Sequence, residues 1–388
     1  MKKRRSLEFI TNILLLIPFI MLPEYILSGS LRRIFIIYSI AVFGLIHLIY
    51  LKKFHFKINK LFILLLFMQL IPIISTIYFK NYDQLFKAIY TMLSTLSIVL
   101  LIDYKLKMSP ECFLKSFTFY LGVLTIINII SFYLYYPSMS PTEYYFYFLG
   151  NDNGSIYETL TFISVGMVYC FYKYSKIPIS YIMILVFILI GYLYVYSVNA
   201  FICIALVLLF CFIYKNPIFK KICNIKLLVI VYIILFLLIV VFRSDSGLLP
   251  MILNFLKRDT TYSGRTFIWD YAFKYIYKYP IIGNGYEGLV LSYLKIHQIK
   301  AHNIIIQYLY MGGLSMIYFL LYSIKISLKK SKDNPGNISN LLIYVLFIFL
   351  VISLFDYYYS KIGLFVILCL LYESDILNRK KRKEDLNG

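Results

Sequence analysis

The chain has 388 residues, 61% of them hydrophobic and only 15% charged, with a mean hydropathy of +0.79. Soluble domains are about 45–50% apolar and 25% charged, so this composition excludes the soluble enzyme classes and requires part of the surface to face lipid. The formal net charge of +21, from 39 Lys and Arg against 18 Asp and Glu, points either to nucleic acid or to orientation signals flanking membrane helices, and the positions of the charges separate the two.

The N-terminal Met-Lys-Lys-Arg-Arg precedes an apolar run from Leu7 to Leu27. The run is too long for the core of a signal peptide and lacks a small-x-small cleavage site, so a retained first helix with a cytoplasmic basic flank is expected. Hydrophobic runs predict further helices near 34–51, 61–78, 86–103, 112–135, 156–172, 177–196, 199–214, 227–242, 303–324, 341–355 and 362–377. Since a span needs about 20 apolar residues, several are short, which allows tilt or a paired break near Ser197–Asn199. The expected fold class is all-α: a polytopic integral membrane protein of about twelve transmembrane helices, with residues 1–388 forming one transmembrane domain. The six cysteines (Cys112, Cys170, Cys203, Cys211, Cys223 and Cys369) lie in apolar runs or basic connectors without a CxxC pair. They are read as small buried hydrophobes rather than disulfide or zinc ligands, and no metal site is expected.

With both termini in the cytoplasm, inner segments carry 25 of the 39 basic residues and outer segments 13, the bias expected of a membrane protein and not of a nucleic-acid binder. Two outer connectors exceed the minimum. Residues 136–155 contain no Lys or Arg. Residues 243–302 form the longest, and connections beyond about 15 residues usually carry function. This second loop holds Arg243, Lys257, Arg258, Arg265, Lys274, Lys278, Lys295 and Lys300 against Asp245, Asp259, Asp270 and Glu287. A positive surplus on the face where the orientation rule predicts none fits an anionic ligand such as lipid-linked phosphate, or else anionic phospholipid head groups.

Within that loop, residues 264–279 predict an amphipathic helix at the membrane interface, ended by Pro280, with Phe267, Ile268, Tyr271, Ala272, Tyr275, Ile276 and Tyr279 on its apolar face. Arg265 and Trp269 are four residues apart, so the guanidinium can lie over the indole or beside it and present a fork to phosphate oxygens; a snorkelling surface Arg is the plain alternative. Gly283-Asn284-Gly285 predicts a tight turn, and Gly312-Gly313 a close helix-packing point. His302, in Ala301-His302-Asn303, stands where the tenth helix begins. Helix N-termini offer free N–H groups to anions, and Asn303 can cap the helix. His302 is therefore a candidate base for a sugar hydroxyl or, as imidazolium, a partner for departing pyrophosphate. Glu287 is a second candidate base. Glu158 and Asp356, at the outer ends of the sixth and eleventh helices, are acids at the apolar boundary, where function or a structural ion pair are the two explanations.

Gly264-Arg265-x-x-x-Trp269, Pro280-x-x-Gly283-x-Gly285, His302-Asn303 and Gly312-Gly313, between apolar helices, resemble the O-antigen polymerase (Wzy-type) and O-antigen ligase superfamily. Asn151-Asp152-Asn153-Gly154 is similar to its Asn-containing element. The resemblance implies an enzyme acting on undecaprenyl-pyrophosphate-linked glycans at the external face of the bacterial inner membrane, in which Arg265 binds pyrophosphate and His302 activates the acceptor or assists departure. It implies no cofactor and no nucleotide sugar, and no Asp-x-Asp pair or Gly-Lys-Ser/Thr loop occurs. Many relatives carry Arg in a Ser-Arg-Gly/Ala element where this chain has Ser197-Val198-Asn199-Ala200; Asn199 can hydrogen-bond a phosphate or sugar, and Arg243 or Arg258 can supply the missing charge. The site set expected is thus His302, Arg265 and Glu287 for catalysis, with Arg243, Arg258, Asn199, Asn153, Glu158, Asn303 and Trp269 for binding. The activity expected is polymerisation of repeat units into O-antigen or capsular-type polysaccharide, with ligation to lipid A–core, or transport of lipid-linked glycan, as alternatives. Expected partners are the lipid-linked donor and acceptor, membrane lipids, a chain-length regulator and a repeat-unit flippase, with no nucleic acid.

Overall fold

The computed structural model describes residues 2–20, 22–23, 26–54, 58–135, 147–216, 224–242, 265–286, 300–357 and 361–378. Arg243, Arg258, Glu287 and Cys223 lie outside the described residues, as do most of the two long connectors. The described part is helical: α1 (Lys2–Leu16), α2 (Gly29–Phe54), α3 (Lys60–Tyr78), α4 (Tyr82–Met108), α5 (Pro110–Tyr135), α6 (Asp152–Tyr174), α7 (Ile179–Tyr194), α8 (Val198–Ile213), α9 (Ile225–Phe236, continued as a π-turn over Leu237–Phe242), α10 (Arg265–Lys278), α11 (Ile304–Asp333), α12 (Asn337–Ile352) and α13 (Gly363–Tyr372).

Asparagines start four of these helices. The side chains of Asn59, Asn151, Asn224 and Asn303 each accept a backbone N–H of the first turn, ahead of α3, α6, α9 and α11, which satisfies donors that an apolar helix end could not otherwise pair. Among the described residues, six helices are long and apolar enough to cross a membrane: α2, α3, α4, α5, α9 with its π-turn, and α11. Helices α7, α8, α12 and α13 are apolar but shorter. Burial divides them. Of the span window in α9 only 17% is buried, against 61% in α4, so α9 lies at the periphery with an apolar surface made for lipid while α4 runs through the centre.

The first predicted helix needs correction. The run 7–27 is not one helix: α1 stops at Leu16 and passes into a 3-10 turn, Ile17–Phe19, that contains Pro18. Proline removes a helical N–H and disfavours the α conformation of the residue before it. The tenth helix is also longer than expected, running to Asp333, and it is broken inside at Gly313, whose φ of 60° and ψ of −158° are not helical.

The bundle has two chemically distinct ends. At one, Tyr50 of α2 and Asn59 ahead of α3 hydrogen-bond the carboxylate of Asp103 on α4 (2.6 and 3.1 Å), which also takes the Lys107 ammonium (2.7 and 2.8 Å). At the other, the starts of α2, α4, α6, α11 and α13 converge. This second end positions every sequence-derived candidate that the structure describes.

Candidate active site

The Pro280–Gly285 motif and the Gly312-Gly313 pair form one device. In an unbroken α11 the carbonyls of Tyr310 and Met311 would accept from Leu314 and Ser315. Instead they accept from Asn284 N–H (2.7 Å) and Gly285 N–H (3.0 Å), while Leu314 and Ser315 donate to Pro280 and Ile281 (2.7 and 3.2 Å). The loop is spliced into the helix break, and these four backbone groups freed by the break are paired again, as a low-dielectric setting demands. A Cβ on Gly283 would meet the backbone of Met311 and Gly312, and one on Gly313 the carbonyls of Pro280 and Ile281. The far end of the loop is tied to α3, where Tyr286 N–H donates to Thr76 Oγ1 (2.8 Å). The Gly-x-Gly turn is therefore a docking element, and its N–H groups at Asn284 and Gly285 are spent on α11 rather than offered to a phosphate.

The splice fixes α10 against α11. On α10, Ile268, Trp269 and Ala272 are buried while Phe267 is exposed, so the apolar face is rotated from the expected one towards Trp269. Trp269 is fully buried and its indole N–H donates to the carbonyl of Ala301 at 2.7 Å. It acts on the segment before His302 and has no face exposed for a sugar. Ala301 N–H in turn donates to Gln307 Oε1 (2.8 Å).

These anchors present His302 with φ at 52°, the left-handed region that a residue other than glycine rarely adopts. Its Nδ1 lies 2.7 Å from Oδ1 of Asp356, and the other Asp356 oxygen lies 3.7 Å from Nη2 of Arg265. His302 and Arg265 keep 17% and 20% of their side chains exposed, whereas Asp356 keeps 3%: the carboxylate is behind and the two basic groups face outward. Burial pushes the Asp356 carboxyl up, but the charge and hydrogen bond of His302 and the charges of Arg265 and Lys300 outweigh it and hold Asp356 below the usual carboxylate range. An anionic Asp356 must accept, so His302 donates from Nδ1 and leaves Nε2 for a substrate.

The turn carrying Asp356 is fastened from three sides. Ile304 N–H donates to Ser353 O (2.9 Å) and Asn303 Nδ2 to Leu354 O (3.1 Å); the Tyr157 hydroxyl of α6 donates to the Asp356 carbonyl, and the Tyr308 and Tyr357 hydroxyls pair. Asn303, expected to bind substrate, is fully buried and used as cap and staple. Asn199 and Asn153 do not reach the Asp356 carboxylate: Asn199 Nδ2 donates to Ile352 O (3.4 Å), and Asn153 Oδ1 accepts from Ser197 Oγ (3.3 Å). Glu158 is ion-paired to Lys361 through Oε1. The structure thus brings Arg265 and His302 together on Asp356, a residue the sequence marked only as an acid at a helix end. Nothing in its local pattern links it to a histidine 54 positions earlier.

Residues 181–321 match the family model Wzy_C, described as O-antigen ligase. The match spans α7 to the middle of α11 and includes Arg265, the spliced loop, His302 and Gly312-Gly313, while Asp356 and Glu158 lie outside it. It supports placing the chain in the superfamily of O-antigen ligases and polymerases. A comparison with curated proteins returns no match.

Proposed function

We propose, from a family match that includes both Arg265 and His302, that this chain is a membrane glycan transferase that polymerises undecaprenyl-pyrophosphate-linked repeat units at the external face of the cytoplasmic membrane. The observation that carries the reading is the His302–Asp356–Arg265 constellation: two outward basic groups held on one buried carboxylate. A hydroxyl of the acceptor sugar attacks the anomeric carbon of the donor; the new carbon–oxygen bond forms as the bond to the lipid pyrophosphate breaks. His302 Nε2 takes the hydroxyl proton, and Asp356 stabilises the imidazolium so formed. Arg265 meets the charge growing on the departing pyrophosphate. The loop 243–302 supplies His302 and Arg265, and Arg243, Arg258 and Glu287 belong to the same outer segment. No metal is needed for this step, and the chain-length regulator and flippase of such systems are the partners expected.

A ligase reading is favoured by the description of the matched family, and it uses the same chemistry with lipid A–core as acceptor. Purified protein given lipid-linked repeat units as sole substrate separates the two: lengthening supports the polymerase, and no product without added lipid A–core supports the ligase. In the productive mixture, His302→Asn, which tolerates the left-handed backbone, and Arg265→Gln should each lower the rate by about 10²-fold or more. Wild-type rates in either variant remove that residue from the site.

A further inference from the structure

The bond between His302 and Asp356 is only as well aimed as the two backbone segments behind it. The chain before Asp356 is held by the start of α11, where Ile304 N–H donates to Ser353 O and Asn303 Nδ2 to Leu354 O. The chain after it is held by α6. The Tyr157 hydroxyl donates to the Asp356 carbonyl, and Glu158 Oε1 takes the ammonium of Lys361, five positions further on. Gly363, where α13 begins, lies so close to α6 that a Cβ there would meet Thr161 Oγ1 at 2.6 Å and the Tyr157 carbonyl at 3.4 Å. Tyr157, Glu158 and Thr161 fall within little more than one helical turn, so a single stretch of α6 grips the chain at positions 356, 361 and 363.

Stability alone is a poor explanation of this grip. Glu158 is 5% exposed, and taking an acid and an ammonium out of water costs about as much as their attraction returns, so apolar side chains of similar volume would pack the helices as firmly. The carboxylate is also incompletely used, because its buried Oε2 has no hydrogen-bond partner among the described residues, a further cost. What hydrogen-bonded and charged ties supply beyond apolar contact is direction. A general base needs it, since displacement by about 1 Å through a change away from the chemistry can cost about 10²-fold. Glu158 and Lys361 also line a cavity of about 480 Å3, together with Arg32, Lys87 and Lys300, each of which is engaged with another group of the protein. The tie therefore belongs to the cavity wall as well as to the hold on the segment of Asp356.

We propose that Tyr157 and Glu158 are positioning residues that act on His302 through Asp356: they fix the carboxylate where it keeps the imidazole as its Nδ1–H tautomer and leaves Nε2 to the acceptor hydroxyl. The effect on transfer rests on the proposed transferase reading; the effect on the tautomer does not.

The test uses the full chain, labelled with nitrogen-15 histidine, in phosphatidylcholine nanodiscs. The chain has four histidines, and the signals of His302 are those missing from His302→Asn. In the wild type, neutral His302 should be the Nδ1–H tautomer. Tyr157→Phe, which keeps the ring and removes only the hydroxyl, combined with Glu158→Leu should give a mixture of tautomers and lower kcat by about tenfold, with KM for the donor changed less than about twofold. Glu158→Gln, whose amide oxygen still accepts from Lys361, should keep the tautomer and at least about half of kcat. A pure Nδ1–H tautomer in the double variant overturns the proposal, whatever the melting temperature, and so does a tautomer mixture in Glu158→Gln equal to that in Glu158→Leu, which would make the role of Glu158 one of packing. If the double variant does not fold, Tyr157→Phe alone decides, and an unshifted tautomer there overturns the proposal. The tautomer is read without substrate, so absence of glycan transfer by the wild-type chain sinks the proposed function and leaves this test standing.

Discussion

His302 occupies a backbone region that costs a non-glycine residue about 1–2 kcal/mol, and the surroundings hold it there: the Trp269 indole, Gln307 and the capped start of α11 all grip its two neighbours. Strain of this kind persists where neighbouring structure over-determines it and is frequent at working sites. Asp356 is the positioning residue of this arrangement. Asp356→Asn removes the negative charge that stabilises the imidazolium and fixes its tautomer, and should lower transfer by about 10²-fold, with a displaced pH profile as the readout that a merely structural effect would not give. The sign of the stability effect follows from the lowered pKa. Because Asp356 is held below the usual carboxylate range, its contribution is fully present above the unfolded value of about 3.9 and is lost as pH falls through the lower folded value. The melting temperatures of wild type and Asp356→Asn should therefore differ by a constant amount above about pH 5 and converge below about pH 4. A gap that widens on acidification overturns the assignment.

Among the elements, the spliced helix α11 decides where the candidate groups stand. The loop 280–285 replaces two helical hydrogen bonds with four loop-to-helix bonds, and it sets α10, and hence Arg265 and Trp269, against the start of α11. Gly313→Ala would bring a methyl group onto the carbonyls of Pro280 and Ile281 and force a side chain into positive φ, which should destabilise by about 2 kcal/mol or more. Gly44→Ala, where the added carbon meets nothing within 4 Å, should change stability by less than about 0.5 kcal/mol. Thermal unfolding of both variants in one detergent checks this; equal melting temperatures would show that the splice is not required. Much of this element was readable in the chain: the 265–278 helix, its Pro280 stop and the two glycine pairs are local signals. That the pairs meet each other, and that the turn serves α11 instead of a ligand, depends on a hydrogen-bond exchange between segments some 30 residues apart.

For the whole molecule, described helix ends gather in two chemically distinct groups. The starts of α2, α4, α6, α11 and α13 surround the cavity, and Tyr50, Asn59, Asp103 and Lys107 lie together at the opposite end. The proposed orientation puts the cavity end outside. In a cysteine-free background, a cysteine at exposed Lys274 of α10 should react with a membrane-impermeant maleimide in intact cells, and one at exposed Lys329 of α11 only after lysis. The reverse pattern would exclude an external active site.

The sequence by itself determined that the protein lives in lipid, that its chain is helical, and that Arg265 and His302 are the groups to examine. Composition, apolar run length and a short ordered set of motifs are properties of neighbouring residues, and neighbours are what a sequence displays. It did not determine the end of α1, which Pro18 sets, or the roles of Trp269 and Asn303, whose polar atoms burial commits to holding the backbone. Only the tertiary structure decided that Asp356 joins His302 to Arg265, and that Arg32, Lys87, Lys300, Lys361 and Glu158 share one cavity. Those residues come from distant segments, and the packing of helix ends against one another, which no local pattern encodes, is what makes them neighbours.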